Sequence, residues 1–123
     1  MADHNYITRT GEQGSVYISE DVVATIVGQA VREVDGVGGF STSLGGEIAE
    51  RLGGKKPYRG VKIAFVENEV FVEAFILVQY GVVIHDVATA VQEKVAESVE
   101  AIMGVRVKAV NVTVCGIAFE KDK

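Results

Sequence analysis

The sequence predicts an α+β fold in two layers, with a mixed sheet of four or five strands beneath two principal helices. Three observations carry this prediction. Valine-rich tracts at residues 61–80 and 105–114 alternate in side-chain character, as strands do. Residues 20–35 and 84–102 repeat apolar residues at three- and four-residue spacing, as helices with one apolar stripe do. Stripes of that width need a sheet to cover them. At 123 residues and 48% apolar content, the chain suits one domain around one core.

The elements are expected in the order β-α-β, loop, β-β-α-β. Residues 1–13 are polar and expected to fray, and residues 14–18 (GSVYI) read as a short strand. Ser19 then offers a hydroxyl N-cap, with Glu20 and Asp21 placed to complement the helix dipole. Val23, Ile26, Val27, Ala30, Val31 and Val34 form the stripe of the first helix, which Asp35-Gly36 ends. A short strand is expected at residues 37–40. Residues 41–60 hold four glycines before Gly60 and the only proline, Pro57, and read as an irregular surface segment around a short helix at 47–52.

Val61, Ile63 and Phe65 share one strand face, and Glu67-Asn68-Glu69 supplies a tight hairpin turn. In the next strand Val70, Val72, Ala74, Ile76 and Val78 occupy one face, and Phe71, Phe75 and Leu77 the other. Both faces want cover, and in a two-layer domain a subunit contact could close the second. Ile84, Val87, Ala88, Val91, Val95, Val99 and Ile102 trace the second helix, which Gly104 stops. In the last strand the apolar parity switches from 105, 107, 109 to 110, 112, 114. A bulge near residues 108–110 or a mid-strand change of covering layer explains the switch. Strand order is left open, with a ferredoxin-like arrangement among the options. Residues 120–123 form a charged tail.

Bulk charge and composition exclude several classes. A net charge of −5 with pI near 5.0 opposes attraction to phosphate backbones, so nucleic acid is disfavoured as a partner. One cysteine, Cys115, allows no internal disulfide and points to a reducing compartment. No apolar leader opens the chain and its most apolar run, at residues 74–78, is too short to span a bilayer, so a cytoplasmic protein without direct membrane insertion is expected.

The chemistry-bearing residues are few. His85-Asp86 reads as a helix start, because adjacent helical residues do not face each other. His4 lacks companion ligands, and neither a metal nor a cofactor is expected. Cys115 reads as a small core residue, Ser41-Thr42-Ser43 as loop or cap residues, and no catalytic group is assigned. Gly53-Gly54-Lys55-Lys56 fails the phosphate-loop pattern, and Gly36-Val37-Gly38-Gly39 is read as a turn. Asn111-Val112-Thr113 spells a glycosylation acceptor that has no consequence without a secretory signal. Arg51, Lys55, Lys56, Arg59 and Lys62, with Tyr58 among them, give the one local basic concentration.

The ordered set GSVYISEDVVATIVGQAVREVDGV, RGVKIAFVENEVFVEAFILVQYG and MGVRVKAVNVTVCGIAF resembles the alkaline shock protein family of Gram-positive bacteria, also called the Gls-type general stress family. The likeness covers residues 14–119. It implies a small cytoplasmic protein without known enzymatic activity, tied to alkaline or cell-envelope stress. Some members self-associate and are held near the membrane by a separate membrane protein. The family brings no catalytic or ligand motif to carry over.

Two functions are therefore expected. The first is a non-enzymatic stress-response or cell-envelope-homeostasis protein that self-associates and docks on protein partners, with Phe71 and Phe75 in the contact and recruitment to the membrane through a membrane-anchoring protein. The alternative is a nucleic-acid or anion-binding module acting through loop 51–62, with Arg51, Lys55, Lys56 and Arg59 as cations and Tyr58 for stacking.

Overall fold

A computed structural model describes residues 6–41 and 60–119. The strands are β1 (Tyr6–Gly11), β2 (Gly14–Ser19), β3 (Val37–Phe40), β4 (Val61–Val66), β5 (Glu69–Gln79) and β6 (Val107–Ala118). The helices are α1 (Glu20–Arg32), between β2 and β3, and α2 (Ile84–Met103), between β5 and β6. The expected two-layer α+β architecture and element order hold among the described residues, with one strand added at the front; the short helix expected at 47–52 lies outside them.

β5 organises the main sheet of four strands. On one edge it pairs antiparallel with β4, from Val61↔Ala74 to Val66↔Glu69, and with β3, from Val37↔Val78 to Phe40↔Ile76. On the other edge it pairs parallel with β6 from Val70↔Val107 to Gln79↔Ala118. β3 and β4 thus form one interrupted edge strand. Ser41 donates its N–H to the Phe75 carbonyl at 2.9 Å, and Phe75 donates its own to the Gly60 carbonyl at 2.8 Å. The chain leaves the sheet and rejoins it at the same residue of β5. A ferredoxin-like order does not form, because the strand before α1 lies in a separate sheet and β6 takes the place beside β5.

The helices cover one face. Val70, Val72, Ala74, Ile76 and Val78 are fully buried beneath Val23, Val27 and Val31 of α1 and Val91, Val95 and Val99 of α2. Ser19 caps α1 as expected, its hydroxyl accepting from the Val22 N–H at 3.4 Å. Gly104, in the left-handed region at φ 73°, ends α2 and returns its N–H to the Glu100 carbonyl. The α2 stripe differs from the expected one at its ends. Met103 completes the series Val87, Val91, Val95, Val99, whereas Ile84 and Ile102 are exposed. A strict four-residue step drifts slowly around the helix and carries the seam to Met103.

The parity switch in β6 resolves as a bulge. The register passes from Val70↔Val107 to Phe71↔Ala109, leaving Lys108 as the extra residue and keeping Val107, Val110, Val112 and Val114 towards the helices. A second shift between Ile76 and Leu77 leaves Cys115 as the extra residue. Cys115 is exposed, not the core residue expected, because the bulge turns it out of the alternation.

The expectation that residues 1–13 fray fails for β1. Tyr6–Gly11 pairs antiparallel with β2 as a two-residue hairpin around Glu12 and Gln13, with Gly11 opposite Gly14. Ile7 is fully buried in the core. The Thr8 N–H donates to Oδ1 of Asn68, and the Arg9 guanidinium donates to the Gly104 carbonyl, so the hairpin is tied to one end of the sheet and to the end of α2.

The β4–β5 turn forms where expected. Glu67 and Asn68 have φ of 50° and 67°, the pairing of left-handed residues that a type I′ hairpin needs. Asn68 serves twice, tolerating that conformation and anchoring Thr8. Asn68→Ala is expected to cost roughly 1–2 kcal/mol, from left-handed strain in a residue with no side-chain oxygen to offset it. Urea denaturation would show this as a lower midpoint at unchanged slope.

Candidate interaction surface

The face of the sheet opposite the helices has no covering layer among the described residues. Alternation along β5 places Phe71, Phe75 and Leu77 there, all half-buried, with exposed Glu73 between the two phenylalanines. β4 adds Lys62, Ala64 and Val66, which stand opposite Glu73, Phe71 and Glu69. β6 adds Ala109, Asn111 and Thr113, opposite Phe71, Glu73 and Phe75.

Two contacts give this surface its texture. The Lys62 ammonium lies 5.6 Å from the centroid of the Phe75 ring, within cation–π range, so a charge sits over an apolar centre. Leu77 lies over Gly116, whose missing side chain leaves room for it; an added Cβ there would meet Leu77 Cδ2 at 3.2 Å. Lys62 and Glu73 are register partners on adjacent strands, so the face carries both signs beside its aromatics. Such a surface can pack against an apolar patch and fix its register through the two charges.

The expected contact residues Phe71 and Phe75 are thus brought together with Leu77 and Lys62. The other expected site residues, Arg51, Lys55, Lys56, Tyr58 and Arg59, lie outside the described residues, as do His4, Thr42 and Ser43. His85 and Asp86 are exposed in the first turn of α2, the helix-start position expected. Ser41 is buried just past the end of β3. Gly36 is in a turn at φ 98°, but Val37, Gly38 and Gly39 belong to β3, so only the first residue of the run is the turn expected. No group of three metal-ligating side chains converges among the described residues. No helix among them is long and apolar enough to cross a membrane.

Sequence reasoning missed two aromatic pairs. Tyr80 and Phe119, both exposed, stack at 5.1 Å between centroids and an interplanar angle of 28°, where β5 and β6 end side by side. Tyr6 and Tyr17 meet edge to face at 6.4 Å on the β1–β2 hairpin. The signal for the hairpin was present in the alternation YITRT, followed by two glycines, Gly11 and Gly14, that bracket a two-residue turn. The signal for Tyr80–Phe119 was not local, since it depends on the parallel register.

Comparison with known proteins gives a consistent picture. Residues 8–119 match the model of the alkaline shock protein 23 family, described as having a cell envelope-related function. The chain is 29% identical over 107 residues to the uncharacterized protein YqhY of Bacillus subtilis (strain 168), covering 87% of this chain and 79% of that one. It is 32% identical over 108 residues to the uncharacterized protein Spy1614 of Streptococcus pyogenes serotype M6, covering 86% and 89%. It is 30% identical over 106 residues to the uncharacterized protein YloU of Bacillus subtilis (strain 168), covering 85% and 88%. No solved structure matches the chain.

Proposed function

The chain belongs to the alkaline shock protein 23 family, with a cell envelope-related function, and from that premise we propose a non-enzymatic scaffold of the envelope stress response. It self-associates and docks on protein partners, and a membrane protein recruits it to the membrane. The observation that carries this reading is the open sheet face around Phe71, Phe75 and Leu77. Aromatic side chains in the middle of a sheet face that no other described residue covers leave apolar area in water, and a protein contact removes it.

The first occupant proposed for that face is a second copy of the chain. Lys62 and Glu73 lie beside the same aromatic centre, so two copies related by a twofold axis can place each lysine against the other's glutamate. Phe75→Glu puts a charge in the middle of this contact while leaving the helix-covered face untouched. The expected result is a smaller sedimenting species with an unchanged far-ultraviolet circular dichroism spectrum. Sedimentation identical to the wild type would remove the face from the assembly.

A further inference from the structure

We propose that the outer edge of β6 is a strand-pairing interface for a second copy of this chain, joined antiparallel about a twofold axis at Thr113. The proposal rests on the self-association reading above and names a distinct surface for it.

The direction of each backbone group in β5 follows from bonds at its ends and middle. Phe75 and Gln79 donate to Gly60 and Gly36, towards the β3–β4 edge, whereas Val70 and Tyr80 donate to Arg106 and Ala118, towards β6. Odd-numbered residues of β5 therefore serve one edge and even-numbered residues the other. Val72, Ala74 and Ile76 stand opposite Val110, Val112 and Val114. In a parallel ladder the residue facing an engaged partner turns its own N–H and C=O to the far side. Val110, Val112 and Val114 thus present their backbone along the outer edge of β6.

The start of that edge is closed from within the chain. The Gln92 side chain of α2 donates to the Val110 carbonyl at 3.0 Å, and a Glu100 carboxylate oxygen accepts from the Val107 N–H at 3.0 Å. Beyond Val110 the protection stops. Among the described residues no group takes the outward N–H and C=O of Val112 or Val114. The usual defences of an edge strand are charges, proline and β-bulges; no charged residue or proline occurs between Lys108 and Glu120, and the second bulge, at Cys115, lies just past Val114. β6 is also 12 residues long. Guarding half of an edge and leaving the other half neutral and unpaired is what a specific strand contact needs.

The occupant and its register follow from the same groups. A twofold axis at Thr113 sets Val112 opposite Val114 of the second copy and Val114 opposite its Val112. Four interchain hydrogen bonds then use only unclaimed groups and leave the Val110 carbonyl to Gln92. The two Thr113 side chains, exposed on the open face, meet as a non-hydrogen-bonded pair, the closer of the two antiparallel spacings. On α2, Ala96 lies one turn from both Gln92 and Glu100, half-buried against the core, and its small side chain adds little bulk beside this edge. The joined sheet would carry the two Phe71–Phe75 surfaces side by side on one face.

The test uses the full chain. Val112→Pro removes a donor that the β5 ladder does not use, so the fold keeps its internal bonds. It is expected to weaken dimerisation roughly thirtyfold, two interchain bonds being lost per dimer. Independently, Thr113→Cys with Cys115→Ser is expected to give a disulfide-linked dimer under mild oxidation. Asn111→Cys in the same background is expected to give none, its two copies lying roughly 14 Å apart along the strands. A wild-type oligomer that Thr113→Cys fails to link would overturn the edge contact and leave self-association standing, whatever Val112→Pro does. A wild type monomeric at every concentration would overturn both.

Discussion

Ile76→Ala is expected to destabilise the fold by about 3–5 kcal/mol, among the largest effects a single uncharged substitution can have here. Ile76 has no exposed surface and occupies β5 between Phe40 of β3 and Val114 of β6, under the helices. Its neighbours belong to four different elements, so no single segment can move to fill the space left by the lost methyl and methylene groups. The loss then combines the transfer term with an unrelaxed cavity. A guanidinium titration should show a lower midpoint at unchanged slope. A cost below about 1 kcal/mol would mean that the valine-rich core repacks freely.

Gly60→Val is expected to be nearly as damaging, by at least about 3 kcal/mol, and for a different reason. Gly60 has φ of 88°, and an added Cβ would come within 2.9 Å of the Ser41 carbonyl oxygen and 3.1 Å of the Phe75 carbonyl oxygen. Both obstacles are main chain in the paired edge, so no side-chain rotation relieves the clash. A β-branched residue adds the strain of the left-handed region. The expected signature is local as well as global. Hydrogen exchange at the Ser41 and Phe75 amides should quicken more than at β6, because the junction opens first. Equal quickening at all amides would show that the junction is not a separate weak point.

Much of this fold was legible in the residues because apolar periodicity and turn chemistry agreed. The spacing of Val91, Val95 and Val99 announces a buried helix stripe, Asn68 announces a left-handed turn, and the parity switch at residues 107–110 announces the bulge at Lys108. Three features were not legible, each for a physical reason: the anchoring of the β1–β2 hairpin, the outward turn of Cys115 and the joining of β3 to β4. β1 is polar on one side and holds its place through Ile7 and two distant bonds, to Asn68 and Gly104. Local composition cannot show such tethers. Cys115 looked like core because it neighbours Val114, and only the second register shift with β5 turns it outward. The joining of β3 and β4 into one edge strand depends on both pairing with β5, at sequence positions separated by residues 41–60. Of the expected interaction surface, the alternation of Phe71 and Phe75 against Val70 and Val72 was sufficient to place the apolar face. What borders that face, Lys62 over Phe75 and the half-guarded edge of β6, required the strand order.

The interrupted edge strand has a consequence for how sequences of this kind can vary. Since the chain departs and returns at a single β5 residue, the number of residues spliced in there does not enter the sheet register at all. Doubling such an excursion adds only about 0.6 kcal/mol of closure entropy. Peptide of another length or charge inserted between Ser41 and Gly60 would therefore leave the β3–β5 and β4–β5 pairings where they are.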